Sequence, residues 1–294
     1  ITAISKTYEK YIDNNYYDED NMFKDNKYCS HKIVIDDYSL HYRKYNNIIK
    51  RKLIKDNISE INNSVWNQNA KILDIGCGRG GDIIKFLDTM NDTSKELKLY
   101  LGLDLDNNNI TGECNARDRF INITSKNNNY SSFNDKFYFI TADINKIEVS
   151  DNTKEILENL IPTDESIDAM DYKEDFIKNI NKTDALHDKK IIENHIIDNT
   201  KFDFINCQFM LHYIDPKNLK TFFNFVNDIL SDNGVFVATY LDSQKLDTLI
   251  TQVNVGDEEI KKIKEDIDID FDFSYISEKY VYKDDFQTIV KSED

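Results

Sequence analysis

Residues 71–82, Lys71-Ile72-Leu73-Asp74-Ile75-Gly76-Cys77-Gly78-Arg79-Gly80-Gly81-Asp82, decide the fold. The apolar run KILDI reads as a buried strand, and it leads directly into glycines at positions 76, 78, 80 and 81. Glycines there let the backbone turn tightly and approach a ligand closely, while the following helix start offers unpaired N–H groups. Asp82 caps or charges that helix start. The segment therefore implies a nucleotide-like ligand.

Four more apolar runs follow: LKLYLGLDL (97–105), KFYFITADI (136–144), FDFINCQF (202–209) and GVFVATYL (234–241). They alternate with polar, helix-compatible segments. This pattern predicts an α/β fold of Rossmann-like type, with a mainly parallel sheet and helices on both faces. The second run ends in Asp104, with Asp106 close by, where a carboxylate is suited to accept two ribose hydroxyls. The third ends in Ala142-Asp143-Ile144, where an acid and a backbone amide are suited to an adenine edge. Three strand ends thus meet at the carboxyl edge of the sheet, the expected ligand crevice. The spacing Gly76-x-Gly78-x-x-Gly81 alone admits NAD as readily as S-adenosylmethionine.

A chain of 294 residues, 40% of them hydrophobic, builds one large domain or two small ones. Residues 1–35 read as an irregular polar and aromatic arm, and 36–294 as the domain proper. From Asp36 the spacing of Tyr38, Leu40, Tyr45, Ile48, Ile49, Leu53 and Ile54 predicts one or two amphipathic helices rich in cations. A charged insertion spans about 146–201 and reads as a surface decoration with one or two helices. The tail segment FDFSYISEKYVYKDDFQTIV alternates as an edge strand does.

No window has the apolar length of a membrane span, and Ile1-Thr2-Ala3-Ile4-Ser5-Lys6 has no apolar signal core, so a soluble protein is expected. The absence of an initiator Met fits a domain cut from a longer polypeptide or a processed chain. Four scattered cysteines, with no CxxC pair, fit neither a disulfide framework nor a zinc site and argue for a reducing compartment. His31, His41, His187 and His195 lack metal-like spacing and read as solvated, so no metal is expected. A net charge of −17 excludes non-specific grip on a nucleic-acid backbone, so any RNA contact is local.

The stretch CQFMLHY, Cys207 to Tyr213, follows the buried run FDFIN yet carries an amide, an imidazole and a phenol. Such polarity at a strand exit marks a crevice wall.

Asp74 makes the glycine loop D-x-G-x-G-x-G, which resembles the S-adenosylmethionine motif of class I methyltransferases. Three motifs narrow the resemblance to the mRNA cap (guanine-N7) methyltransferases. Arg43-Lys44-Tyr45-Asn46-Asn47-Ile48-Ile49-Lys50 resembles R-x-F-N-N-x-I-K, ILDIGCGRGGDIIKF resembles LDLGCGKGGDLxKW, and QFMLHY resembles Q-F-x-x-H-Y. They cover most of residues 38–285 in the family's order. The resemblance implies that Lys50, Gly76, Gly78, Asp104, Asp143, Ile144 and Gln208 bind S-adenosylmethionine, leaving S-adenosylhomocysteine. It implies that Tyr45, Asn46, Phe209, His212 and Tyr213 surround the cap guanine. Arg79, where the family has Lys, would face the cap phosphates with Lys85 and Arg117. Ser277-Glu278-Lys279-Tyr280-Val281-Tyr282 is similar to P-E-F-L-V-Y, which would set Glu278 against guanine N1 and N2. Family members continue beyond this strand with a further helix and strand.

Guanine N7 carries a lone pair and no proton to lose, so methylation there requires alignment and no general base. The implied substrate is the GpppN end of capped RNA. The implied source is the methyltransferase domain of a large DNA virus capping enzyme, with fused or associated triphosphatase and guanylyltransferase domains. The expected location is intracellular: a cytoplasmic viral factory or virion, or the nucleus for a cellular enzyme. A small-molecule class I methyltransferase, an NAD-dependent oxidoreductase and a non-catalytic capping subunit are the competing readings. The first two leave the Tyr45–Lys50 and Gln208–Tyr213 motifs unexplained, and the third leaves the intact glycines and acids unexplained.

Overall fold

A computed structural model describes residues 37–60, 70–93, 96–148, 150–162 and 182–240, with side chains of the first helix described for 46–59. The arm at 1–35, Glu278 and the alternating tail segment lie outside the described residues.

The cationic segment forms one 24-residue helix, α1 (Asp37–Glu60). The strand–helix alternation follows: β1 (Ala70–Ile75), α2 (Ile83–Thr93), β2 (Leu97–Asp104), a short α3 (Asn107–Ile110), α4 (Ala116–Lys126), β3 (Phe137–Thr141), α5 (Thr153–Asn159), α6 (Lys182–His195), β4 (Phe202–Gln208), α7 (Leu219–Ile229) and β5 (Leu230–Thr239). The five strands pair in the order β3-β2-β1-β4-β5, all in parallel. Chain order reverses between β1 and β4, and ligands of open α/β sheets bind outside the strand ends at such a switch point.

Side chains alternate along each strand, and both faces are covered. Leu73, Leu101, Ile140, Ile205 and Phe236 pack against α5, α6 and α7. Ile72, Tyr100, Phe139, Phe204 and Val237 pack against α1, α2 and α4. This two-sided burial is why the strands read as near-continuous apolar runs. On the second face Tyr100 stacks on Phe137 at 4.3 Å, and Phe120 stacks on Phe137 at 4.6 Å.

The described parts of the segment at 146–201 are not a surface decoration. Ile156 and Leu157 of α5 and Ile191 and Ile192 of α6 are buried in the first core layer. The topology explains it: the chain leaves β3 at one edge and must return beside β1, so its crossover covers the sheet. On the outer side of β3, buried Asp188 of α6 accepts the Thr141 N–H at 2.9 Å, and Arg117 donates to the Phe139 carbonyl at 2.8 Å. These two bonds satisfy backbone groups that a strand edge otherwise leaves open. Among the described residues no helix is long and apolar enough to cross a membrane.

Candidate active site

The loop after β1 adopts positive φ at Gly76 (74°), Gly78 (55°) and Gly80 (73°), so the chain reverses within a few residues. Gly76 and Cys77 both donate to the Leu103 carbonyl, at 2.8 and 2.9 Å, fixing the loop to the end of β2. Side chains added at Gly78 or Gly81 would meet nothing within 4 Å. That open space over the loop is a cradle a Cβ would fill, and it fits a nucleotide-like ligand.

Asp104 ends β2 beside this space. Its carboxylate accepts from the Gly78 N–H at 2.8 Å, the Asp106 N–H at 2.9 Å and Asn109 Nδ2 at 3.0 Å. Burial raises its pKa, and the three donors partly offset that rise. Exposed Arg79 on the loop donates to Asn109 Oδ1 at 3.2 Å, which sets a guanidinium at the lip next to Asp104.

Lys50 of α1 reaches the opposite side of the loop and pairs with Asp82 at 2.8 Å. Burial would raise the Asp82 carboxyl, but Lys50 and Lys85 beside it hold it below its usual range. Lys85 is thereby explained differently from its expected role. Its side chain is fully buried, with Nζ 2.8 Å from the Gly81 carbonyl and 3.1 Å from Asp82. Lying on the buried side of α2, it props the loop from behind and does not face phosphates.

Arg117 also departs from expectation. Its Nη2 lies 2.6 Å from Asp188 Oδ1, so the pair locks α6 to α4 and to the outer side of β3. The neighbouring arginine two residues on is the one at the lip: Arg119 Nη1 donates to the Arg79 carbonyl at 3.4 Å. The sequence carried a signal for this, since residues 117 and 119 of one helix point about 200° apart and only one can face the loop.

At the end of β3, Asp143 is buried and caps the turn Ile144–Lys146 by accepting the Asn145 N–H at 3.0 Å. Ile144 is buried alongside. At the end of β4, Gln208 donates to Asn206 Oδ1 at 2.8 Å and accepts from Thr239 Oγ1 at 2.9 Å. Asn206 in turn donates to Asp74 at 2.8 Å, and Tyr100 donates to the other Asp74 oxygen. A buried polar ladder therefore crosses β2, β1, β4 and β5, and Gln208 is a rung of it. Burial and the nearby Asp82 charge push the Asp74 carboxyl up to about 7.

Phe209 leaves β4 with a φ of 55°, a left-handed conformation unusual for a bulky residue and found where a site demands it. Its N–H donates to the Thr239 carbonyl at 2.9 Å, holding the kink. The chain then forms a turn, Leu211–Tyr213, in which the His212 and Tyr213 rings lie 4.3 Å apart. Tyr213 is 60% exposed. Burial lowers the His212 pKa, so the imidazole is neutral at pH 7. Met210 lies against Gly76, joining this turn to the glycine loop. Asn46 is half-buried on α1; Tyr45 is on the same helix, and its side chain lies outside the described ones. Among the described residues no group of three or more His, Cys, Asp or Glu is arranged to hold a metal ion. His195 is exposed, as expected, and its ring stacks on Tyr138 at 3.9 Å.

A parallel sheet ordered 3-2-1-4-5, a glycine loop open over its cradle and an acid ending β2 fit the class I methyltransferase fold. The model of the mRNA (guanine-N(7))-methyltransferase domain matches residues 8–287, and the chain belongs to that family. Over 243 residues it is 30% identical to a "Probable mRNA-capping enzyme" of Acanthamoeba polyphaga mimivirus, covering 77% of this chain and 17% of that one. Over 206 residues it is 23% identical to the mRNA cap guanine-N(7) methyltransferase of Caenorhabditis elegans, covering 69% of this chain and 40% of that one. The chain thus spans less than half the length of either relative. A solved S-adenosylmethionine-dependent methyltransferase from Clostridium acetobutylicum superposes with a TM-score of 0.35 at 18% identity, covering 72% of this chain and 61% of that one. A likeness this slight adds nothing to the topology.

Proposed function

We propose that the chain methylates N7 of the guanine in the GpppN cap of mRNA. The observation that carries this is the packing of the Phe209–Tyr213 turn on the open glycine loop through Met210 and Gly76. One crevice thereby has a nucleotide cradle on one wall and, on the other, the exposed Tyr213 ring beside the half-buried His212 imidazole.

S-adenosylmethionine, when bound, supplies a methyl group on a sulfonium. The residues around the cradle suit it: Asp104 would take the ribose hydroxyls, and Asp143 and Ile144 would meet the adenine. Gly76, Gly78 and Lys50 line the loop side, while Gln208 bears on the donor from β4. Phe209, His212, Tyr213 and Asn46 would surround the guanine, and Arg79 and Arg119 would face the phosphates; Tyr45 and Glu278 join the guanine set by the family resemblance alone. No residue abstracts a proton, because guanine N7 has none to lose. The chain's contribution is alignment, and holding two reactants in near-attack geometry lowers a barrier by roughly 7 to 11 kcal/mol. The neutral His212 suits a base that becomes positively charged on methylation.

Triphosphatase and guanylyltransferase activities, on the same polypeptide or associated with it, would deliver the GpppN end. The match inside a much longer viral relative named for capping supports this. The location would follow: a cytoplasmic viral factory or virion, or a nucleus. The test is transfer from labelled S-adenosylmethionine to GpppA-capped RNA. Label on that RNA, and none on m7GpppA-capped RNA, is the expected result; no transfer to either sinks the proposal.

A further inference from the structure

One residue ties the two halves of the crevice together, and neither the glycine loop nor the aromatic turn contains it. Asn145 lies in the short turn after β3. Its N–H donates to Asp143 Oδ1 at 3.0 Å. Its side-chain Oδ1 accepts the Asp215 N–H at 2.9 Å, and its Nδ2 donates to the Tyr213 carbonyl at 3.4 Å. Its own carbonyl accepts from Asn218 Nδ2 at 3.1 Å. The carboxamide therefore grips the backbone on both sides of Ile214, directly behind His212 and Tyr213, while the main chain of the same residue is bonded to Asp143.

Within the turn 210–218, the Tyr213 N–H bonds to Met210, the Ile214 N–H to Leu211 and the Asn218 N–H to Asp215. Such bonds shape a turn without fixing where it sits. Ile214 is buried and anchors its middle, but an apolar contact is non-directional. The two bonds from the Asn145 carboxamide supply direction.

We propose that Asn145 is a positioning residue that couples occupation of the methyl-donor site to the setting of the cap-facing turn. Ordering of Asp143 and Ile144 by a bound adenosyl group is passed through the Asn145 backbone to its carboxamide, and from there to the main chain at Tyr213 and Asp215. Coupling of this kind is reciprocal: if the donor tightens cap binding by some factor, the cap tightens donor binding by the same factor. The roles of Asp143 and of the turn rest on the cap-methyltransferase reading above; the mechanical link between them does not.

The experiment uses the whole chain in three forms, wild type, Asn145→Ala and Asn145→Asp, the last keeping the acceptor for Asp215 and losing the donor to Tyr213. Hydrogen exchange over residues 209–218 is followed with and without S-adenosylhomocysteine, and KM and kcat are measured with GpppA-capped RNA. In the wild type, exchange in this segment slows when S-adenosylhomocysteine binds. In Asn145→Ala that slowing disappears and KM for capped RNA rises about tenfold, within the usual range of coupling between two sites, while kcat stays within a few-fold. Asn145→Asp falls between the two. Slowing that persists in Asn145→Ala with KM unchanged overturns the proposal, and so does a drop in kcat that merely tracks lost thermal stability in both variants. If the wild type methylates no capped RNA, the cap reading fails, and the exchange measurements alone still decide whether Asn145 links the donor site to the turn.

Discussion

Met210 packs on the bare backbone of Gly76: a Cβ at Gly76 would lie 2.5 Å from Met210 Cγ and 2.9 Å from its Cβ. The turn after β4 and the start of the glycine loop therefore leave no room for a side chain at position 76. Gly76→Ala adds a clash to a left-handed backbone that itself costs a non-glycine residue about 1 to 2 kcal/mol. The expected outcome is a loss of several degrees in thermal unfolding together with loss of donor binding.

Gly78→Ala separates the two effects. Its φ of 55° carries the same backbone cost, but its Cβ would enter open space within the protein. Stability should fall by only about 1 to 2 kcal/mol, while KM for S-adenosylmethionine rises at least about tenfold, equivalent to 1.4 kcal/mol. An unchanged KM in titration kinetics would mean that the open space is not the donor cradle.

Asp74 predicts a pH dependence of stability. Its carboxyl is raised from 3.8 to about 7, so the folded chain holds a proton the unfolded chain has released. The contribution is complete below the unfolded value and is lost as pH rises through about 7. Thermal unfolding of the wild type should therefore drop as the pH rises from 3.8 to about 7, and Asp74→Asn should flatten that drop. Asp82 does not obscure the window, because its lowered pKa acts at acid pH, below 3.8.

His212 predicts a pH dependence of rate. Its pKa is lowered from 6.5 by burial, so the neutral ring persists to lower pH than in a free histidine. Single-turnover cap methylation should hold through pH 6.5 and fall only at more acid pH than a free histidine would give, when an imidazolium would face a base acquiring positive charge. His212→Gln should be slower throughout and lack that acid limb.

The arginines divide by role. Arg117→Met leaves buried Asp188 without its cation, and breaking such a pair costs roughly 3 to 5 kcal/mol, toward the lower end here because Arg117 is 26% exposed. KM for capped RNA should not change in this variant. Arg79→Ala should do the opposite, leaving the melting temperature in place while weakening RNA binding and reducing its salt dependence.

The strands, their order of appearance and the crevice at their carboxyl ends were legible because two-sided burial writes a parallel strand as an apolar run and a ligand loop as glycines. Gly76, Gly78, Asp104, Asp143 and the Phe209–Tyr213 turn could all be named on that basis. What sequence alone could not assign was the direction in which a long cationic side chain points. Lys85 and Arg117 carry the charge a phosphate requires, yet one is folded beneath its own helix start onto Asp82 and the other is spent on Asp188, which arrives from 71 residues further along the chain. Asn145 was invisible for the same reason, since its partners at 213, 215 and 218 become neighbours only when β3 and β4 are drawn into one sheet. Local chemistry determined the ligand-binding frame, because a turn or a strand is specified by adjacent residues. Tertiary structure decided which charges remain available to a ligand, because that depends on partners brought in from elsewhere in the chain.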